Sequence, residues 1–297
     1  ADIERELSGN GAFPLDADVI VRYEYTNRPE LQYKIEYVQA DPNQNAPWSV
    51  YRPKNEQIAS VISKVNSYIN ELSQEQYIQN IKDKFIQRVG LTQENDALEY
   101  TNLLNVDLHT TMPDDWYSGD APFRQAGIVF CPHTKGLIGV NDSNANRGIA
   151  SAIGQGLSLN VGRFIGGDAV TIQEQFINNE LPIMVATKAF GMGIDKPNVR
   201  FTINVNQSDS LEGFVQEAGR AGRDKKMALA TIMYSDYSNV DRNVALFFFN
   251  ESFIGKDFEK WCMLEICKFA PVTFYKNGKP HNEQGILNSV NGEHTDS

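Results

Sequence analysis

Ile183-Met184-Val185-Ala186, Arg200-Phe201-Thr202-Ile203-Asn204-Val205 and Leu229-Ala230-Thr231-Ile232-Met233-Tyr234 are short, almost continuous apolar runs. Strands buried on both faces have this composition, whereas a strand with one wet face alternates. Gly127-Ile128-Val129-Phe130-Cys131 is a fourth run of the same kind, and helical patterns at Thr171 to Asn179 and Leu211 to Ala218 lie between the runs. Strands that alternate with helices predict an α/β fold, a parallel sheet wrapped by helices. Ligands of such sheets bind at loops beyond the carboxyl ends of the strands.

Upstream, Leu31-Gln32-Tyr33-Lys34-Ile35-Glu36-Tyr37 alternates and predicts a strand with one buried face. Ile58, Val61, Ile62, Val65, Tyr68, Ile69 and Leu72 then follow helical spacing and form one apolar stripe. A second stripe, Tyr77, Ile78, Ile81, Phe85 and Val89, ends at Gly90, a residue suited to a left-handed helix cap. From Gln93 to Gly119 the pattern dissolves, which predicts an irregular connection with one short helix around Leu98 to Leu104.

The whole chain has 297 residues, 41% of them hydrophobic, and a net charge of −11. These values exclude a disordered, collagen-like or small disulfide-bonded protein. The longest strongly apolar stretch, Ala245 to Phe249, is far shorter than the roughly 20 residues of a membrane helix. Cys131, Cys262 and Cys267 are odd in number and never spaced C-x-x-C, which predicts free thiols in a reducing cytosol and no zinc site. The charged start, Ala1 to Leu7, suggests an interior piece of a longer chain.

Two loops carry the chemistry. Thr187-Lys188-Ala189-Phe190-Gly191-Met192-Gly193-Ile194-Asp195 follows one of the strands. Its glycines let backbone N–H groups approach an anion, Thr187 offers a hydroxyl to a phosphate, and Asp195 can accept from a sugar hydroxyl. Taken alone, the glycine pair is better read as making a tight turn. In Gln216-Glu217-Ala218-Gly219-Arg220-Ala221-Gly222-Arg223-Asp224, two arginines three apart are each preceded by glycine. On a continuing helix both would project from the same side, and guanidinium forks suit phosphoryl oxygens. A solvated arginine pair would leave the glycines unexplained, because each costs roughly 1 kcal/mol inside a helix.

Together these words, A-T-K-A-F-G-M-G-I-D-K-P-N-V-R (186–200) and Q-E-A-G-R-A-G-R-D (216–224), resemble the fifth and sixth signature motifs of RecQ-like superfamily-two DNA helicases. The resemblance extends over most of residues 1–240. Asp2 to Leu7 resembles the helix after the third motif, and Thr26 to Tyr33 the entry to the second RecA-like domain. Gly127 to Cys131 resembles the strand of the fourth motif, and Phe164 to Asp168 a loop that touches the DNA backbone.

The resemblance implies a RecA-like sheet over about 21–240, interrupted by a helical insertion at about 50–120. Residues 1–20 would be the tail of a first motor domain or a linker, and 241–297 a C-terminal helix around Phe258 to Phe269, a hairpin at Asn277-Gly278 and a tail. It implies that Arg223 is an arginine finger for the γ-phosphate of ATP, assisted by Arg220, with Gln216 coupling nucleotide state to domain closure. Asp195 and Gly193 would serve the ATP site, and Thr187, Gly166 and Gly167 would grip DNA phosphates.

Departures from the family bound the reading. No G-x-x-x-x-G-K-[S/T] and no D-E-x-H occurs, so ATP and Mg²⁺ are expected to act only in the complete protein, and this fragment alone is expected to bind neither. The family's four-cysteine zinc module has no counterpart, and Pro132-His133-Thr134-Lys135 replaces its usual Ser-Arg pair. The implied partners are DNA, single-stranded or junction-shaped, an N-terminal RecA-like domain of the same parent, and a protein partner for the insertion. No membrane is involved, and a cytoplasmic, bacterial setting is expected. Residues 181–226 hold seven Lys or Arg against five Asp or Glu, a local +2 that leaves −13 elsewhere. Such a body completes a DNA groove better than it binds DNA alone. The alternative is a non-catalytic nucleic-acid or protein-interaction module that retains the helicase fold.

Overall fold

A computed structural model describes residues 28–89, 105–166, 170–188, 190, 195–208 and 210–243, together with the backbone of 274–276 and 279–281. The four apolar runs form β2 (Ala126–Phe130), β6 (Ile183–Ala186), β7 (Val199–Asn204) and β8 (Ala228–Tyr234). With β1 (Leu31–Tyr37) and β5 (Val161–Phe164) they make a six-stranded sheet of order β1-β8-β7-β2-β6-β5. Every neighbouring pair in it is parallel.

Alternate residues of these strands enter two separate cores, which is why their sequences are apolar throughout. Val129, Ile183, Val185, Phe201, Ile203 and Leu229 face one side. Ile128, Phe130, Met184, Ala186, Val199 and Ala230 face the other. The second side is covered by α5 (Val170–Ile177) and α6 (Leu211–Ala218), which bring Phe176 and Ala218 to it.

The first side is covered by α1 (Trp48–Ser63), α2 (Val65–Leu72), α3 (Glu75–Val89) and α4 (Ile149–Leu157). The long apolar stripe expected on one helix lies on two, broken at Lys64, yet Ile58, Ile62, Val65 and Ile69 still enter one core. Gly156 of α4 lets α1 come close: a Cβ there would stand 2.4 Å from that of Ala59.

The connection after α3 has an irregular backbone but a specific seat. Leu108, Met112 and Trp116 are buried, and the Trp116 ring meets Phe201 edge-on at 5.3 Å. One face of α2 satisfies its backbone. Asn70 Nδ2 donates to the Met112 carbonyl at 2.8 Å, the Met112 N–H donates to Asn70 Oδ1 at 2.7 Å, and Ser73 Oγ donates to the Thr110 carbonyl at 2.6 Å. Beyond it, the Asp107 N–H donates to the Lys225 carbonyl and the Asp107 carbonyl accepts from the Met227 N–H.

β1 departs from expectation. Its apolar side, Tyr33, Ile35 and Tyr37, is 59%, 54% and 69% exposed among the described residues, while Lys34 and Glu36 are half-buried as an ion pair beside the Tyr68 ring of α2. Alternation marks two faces, but neighbours decide which is covered, and on this edge strand α2 covers the polar one. β3 (His133–Lys135) and β4 (Gly139–Asn141) form a small separate pair, and no helix among the described residues is long and apolar enough to cross a membrane. β9 (Phe274–Lys276) pairs antiparallel with β10 (Lys279–His281), the two strands of the expected hairpin, and Asn277-Gly278 between them lie outside the described residues. Residues 1–20, Gly90, the helix expected at 98–104 and the stripe Phe258 to Phe269 lie outside the described residues.

Lys54 of α1 and Asp241 are fully buried and paired at 2.7 Å, and Lys54 also donates to Asn206 Oδ1 at 3.0 Å. Burial pushes the Lys54 pKa down and that of Asp241 up, against their mutual attraction. Removing one partner strands a buried charge, so Asp241→Asn is expected to destabilise the chain by about 3–5 kcal/mol, and the double apolar replacement Lys54→Met with Asp241→Leu by less. Urea denaturation of both variants checks the order. At Gly127 an added Cβ would lie 1.9 Å from the tip of the Phe201 ring, which also meets the buried Trp116 edge-on. Gly127→Ala is therefore expected to cost about 1–3 kcal/mol through overpacking, and an unchanged urea midpoint would contradict it.

Candidate functional site

Because the sheet is parallel, the carboxyl ends of β2, β6 and β7 open on one rim, and a cavity of about 130 Å³ lies there. Its wall includes Thr187 and Lys188 after β6, Asn204 and Ser208 at the end of β7, and Glu217 of α6. Glu217 is buried and accepts from Asn204 Nδ2 at 2.6 Å and from Ser208 Oγ. Ser210 caps α6 by accepting from the Gly213 N–H at 2.9 Å, which fixes where the helix begins and so where Glu217 falls. Cys131 also borders the cavity, but burial pushes its thiol pKa far up, so it contributes bulk and not a thiolate.

Thr187 stands beside the end of β5, where its N–H donates to the Phe164 carbonyl at 3.2 Å. Gly166, an exposed turn residue two positions after β5, is thus on the same rim. Gly167 and Gly193 lie outside the described residues.

The arginines are arranged differently from a continuing helix. α6 stops at Ala218, and Gly219 to Asp224 form a succession of turns. Gly222 adopts φ +67°, a left-handed value that glycine takes without a Cβ penalty, so the chain between the two arginines is a turn and not a helix. The cost of glycine within a helix is therefore not incurred.

The turn is fastened on both sides. The Gly222 N–H donates to the Val199 carbonyl at 2.9 Å. The buried guanidinium of Arg200 forms an ion pair with Asp224 and donates to the Met227 carbonyl at 3.0 Å. Arg223 Nη1 reaches Asp195 Oδ1 at 3.1 Å, and the Asp195 side chain is 83% exposed. Arg220 is half-buried, and its pKa is lowered by burial first and by the charge of Arg223 second. Two like charges are thus held within each other's field. Gln216 sits on the exposed side of α6, where its Nε2 donates to Glu212 Oε1 at 3.1 Å.

The structure brings Arg220, Arg223 and Asp195 together, places Thr187 with Gly166, and leaves Gln216 on an outer helix face. Glu217, Asn204 and Ser208 were not singled out by the sequence. The only signal for Asn204 and Ser208 was polar residues at or just beyond the end of an otherwise apolar strand, and Glu217 lies on α6 inside the motif word 216–224.

Residues 124–225 match the family described as helicase conserved C-terminal domain. Over 119 residues the chain is 44% identical to the ATP-dependent DNA helicase RecQ of Bacillus subtilis, covering 38% of this chain and 18% of that protein. It is 37% identical over 107 residues to the protein named "Probable ATP-dependent DNA helicase RecS" of the same species, covering 36% and 21%. The ATP-dependent DNA helicase Q1 of Pongo abelii is 40% identical over 119 residues, covering 40% and 17%. The matched segment is similar to the C-terminal domains of RecQ-like helicases. Among solved structures, the yeast DEAD-box splicing factor Prp28 aligns at TM-score 0.40 and 14% identity over 91% of this chain and 39% of its own. The chain spans about a fifth of the length of the curated relatives it matches.

Within the matched segment Lys196, the neighbour of Asp195, is anchored by three contacts. Its Nζ donates to Asn179 Oδ1 at 2.5 Å and to the Ile177 carbonyl at 3.3 Å, and lies 5.0 Å from the centre of the Phe176 ring. Burial lowers its pKa from 10.5 to about 8. Below about 8 folded and unfolded states are both protonated and the burial cost is constant; between about 8 and 10.5 the folded state releases its proton first, so stability rises with pH. Relative to Lys196→Met, the unsubstituted chain is expected to gain stability across that interval. Urea midpoints of both proteins from neutral to alkaline pH check this, and parallel curves would count against it.

Proposed function

We propose that this chain is the second motor half of an ATP-dependent, RecQ-like DNA helicase or translocase, supplying an arginine finger and part of the DNA track. The observation that carries the reading is the turn at 219–224, which holds Arg220 and Arg223 as neighbouring guanidinium groups at the amino-end edge of the parallel sheet, beside the starts of β7 and β8. A γ-phosphoryl group gathering charge in its transition state is stabilised by such a pair. Arg223 is the finger and Arg220 assists it. Its pairing with Asp195 keeps the finger extended, and an ion pair this exposed is worth about 0–1 kcal/mol, so phosphate oxygens can replace the carboxylate at small cost.

The residues present suit the terminal phosphate but not the whole nucleotide. Bound ATP with Mg²⁺ would supply the phosphoryl group and its charge neutralisation, and the cradle for it must come from an N-terminal RecA-like domain of the parent, since the sequence has no phosphate-loop lysine. Asp195 and Gly193 would flank the nucleotide, and Gln216, on the helix that leads into the turn, would report closure between the domains. On the DNA side, Thr187 and Gly166 emerge next to each other from β6 and β5, which suits backbone contact with successive phosphates of a single strand by hydroxyl and N–H donors. The Gly166-Gly167 loop would share that contact.

Arg223→Ala in the full-length parent is expected to lower DNA-stimulated ATP hydrolysis by about 10³-fold. Turnover indifferent to that substitution, or no turnover in the parent at all, would favour a module that keeps the helicase fold for binding alone.

A further inference from the structure

Arg28, the residue before Pro29 and β1, lies 191 and 193 positions from the carbonyls it touches. Its Nη1 donates to the Gly219 carbonyl at 2.9 Å and its Nη2 to the Ala221 carbonyl at 2.7 Å. These carbonyls flank Arg220 in the chain and follow directly on the carboxyl end of α6, where the helix dipole also favours a cation. The third contact orients the guanidinium: Nε donates to Glu30 Oε1 at 2.7 Å, and the Glu30 side chain is 6% exposed. Glu30 is itself fixed, because its carbonyl accepts from the Ala228 N–H at 2.8 Å at the start of β8.

We propose that Arg28 is a positioning residue for the arginine pair, a two-pronged brace that sets the path of the turn from Gly219 to Arg223. The inference rests on the finger reading of Arg223 given above. A planar fork can hold two carbonyls at once in fixed directions, which an ammonium on a flexible stem cannot. The brace also accounts for the glycine before the second arginine. A Cβ at Gly222 would stand 3.1 Å from Arg28 Nη2 and 3.0 Å from both the Lys226 carbonyl oxygen and the Ala228 Cβ, in a backbone conformation that already disfavours side chains. Arg28 holds the turn from one side while the Val199 carbonyl, accepting from the Gly222 N–H, holds it from the other. Neither contact involves the guanidinium groups of Arg220 or Arg223, so the brace fixes their backbone without occupying their donors.

The test uses the full-length parent with single-stranded DNA and compares Arg28→Ala, Arg28→Lys, Arg223→Ala and the double variant Arg28→Ala with Arg223→Ala. Misplacing a catalytic group by about 1 Å can cost roughly 100-fold, so kcat for ATP hydrolysis is expected to fall about 10- to 100-fold in Arg28→Ala. KM for ATP and affinity for the DNA are expected to stay within about twofold. Arg28→Lys keeps the charge and most of the stem, and should fold even if the alanine variant does not; it is expected to lose kcat as well. In the double variant the two losses are expected not to add, because Arg28 acts through Arg223.

Full kcat in a folded Arg28 variant beside an inactive Arg223→Ala overturns the positioning role and leaves the finger reading intact. Additive losses in the double variant overturn it too, by showing a general structural effect. Undiminished turnover in Arg223→Ala overturns the finger reading and the inference with it.

Discussion

A parallel sheet whose central strands bury both faces is the constraint on which the rest of this structure depends. Each strand must be re-entered from the same end, so every connection crosses over a face and leaves its carboxyl-end loop on a common rim. Both faces then require helices. On one side α5 and α6 suffice; on the other the chain uses α1 to α4 and a buried aromatic plug, Trp116. The rim that carries Thr187 and Asn204 follows from the same arrangement, and the arginine turn, bonded beside the starts of β7 and β8, lies at the opposite edge of the sheet.

How much of this was legible depended on where the information lay. β6 and α6 have the limits expected from the sequence, Ile183–Ala186 and Leu211–Ala218, because each is a pure run of one pattern. α4 gave little helical signal, because Gly154 and Gly156 lower helix propensity, and Gly156 is explained only by the approach of Ala59. β5, Val161-Gly162-Arg163-Phe164, is too short and mixed to stand out, and β6 beside it supplies its pairing. The outward face of β1 was misread because alternation has no sign. At the site, the motif words singled out Arg220, Arg223 and Asp195 as candidates; Glu217, whose partners Asn204 and Ser208 lie at the end of β7 and just beyond it, and Arg28, whose partners lie far off in the chain, were not singled out.

The polar interior is concentrated where helices of the long segment between β1 and β2 meet the rim. Lys54 of α1, Asp241 after β8 and Asn206 after β7 form one buried cluster. Asn206 also borders the cavity that holds Glu217 and Asn204. The helices over 48–89 are therefore part of the core and reach the rim through hydrogen bonds as well as apolar contact. Charge at that depth is a weak source of stability but a strict determinant of register, since only one placement of α1 pairs Lys54.

The left-handed glycine at position 222 has a consequence for timing. A finger carried on a floppy loop would have to give up backbone freedom, about 1–2 kcal/mol for each residue ordered, every time it met its phosphate. Here that entropy is surrendered once, during folding, by a turn whose shape is fixed by Gly222, the Val199 carbonyl and the Asp224–Arg200 pair. On the finger reading proposed above, what would remain to be ordered at each encounter is the outer part of one arginine side chain, so the backbone of the loop would add no ordering cost to engagement.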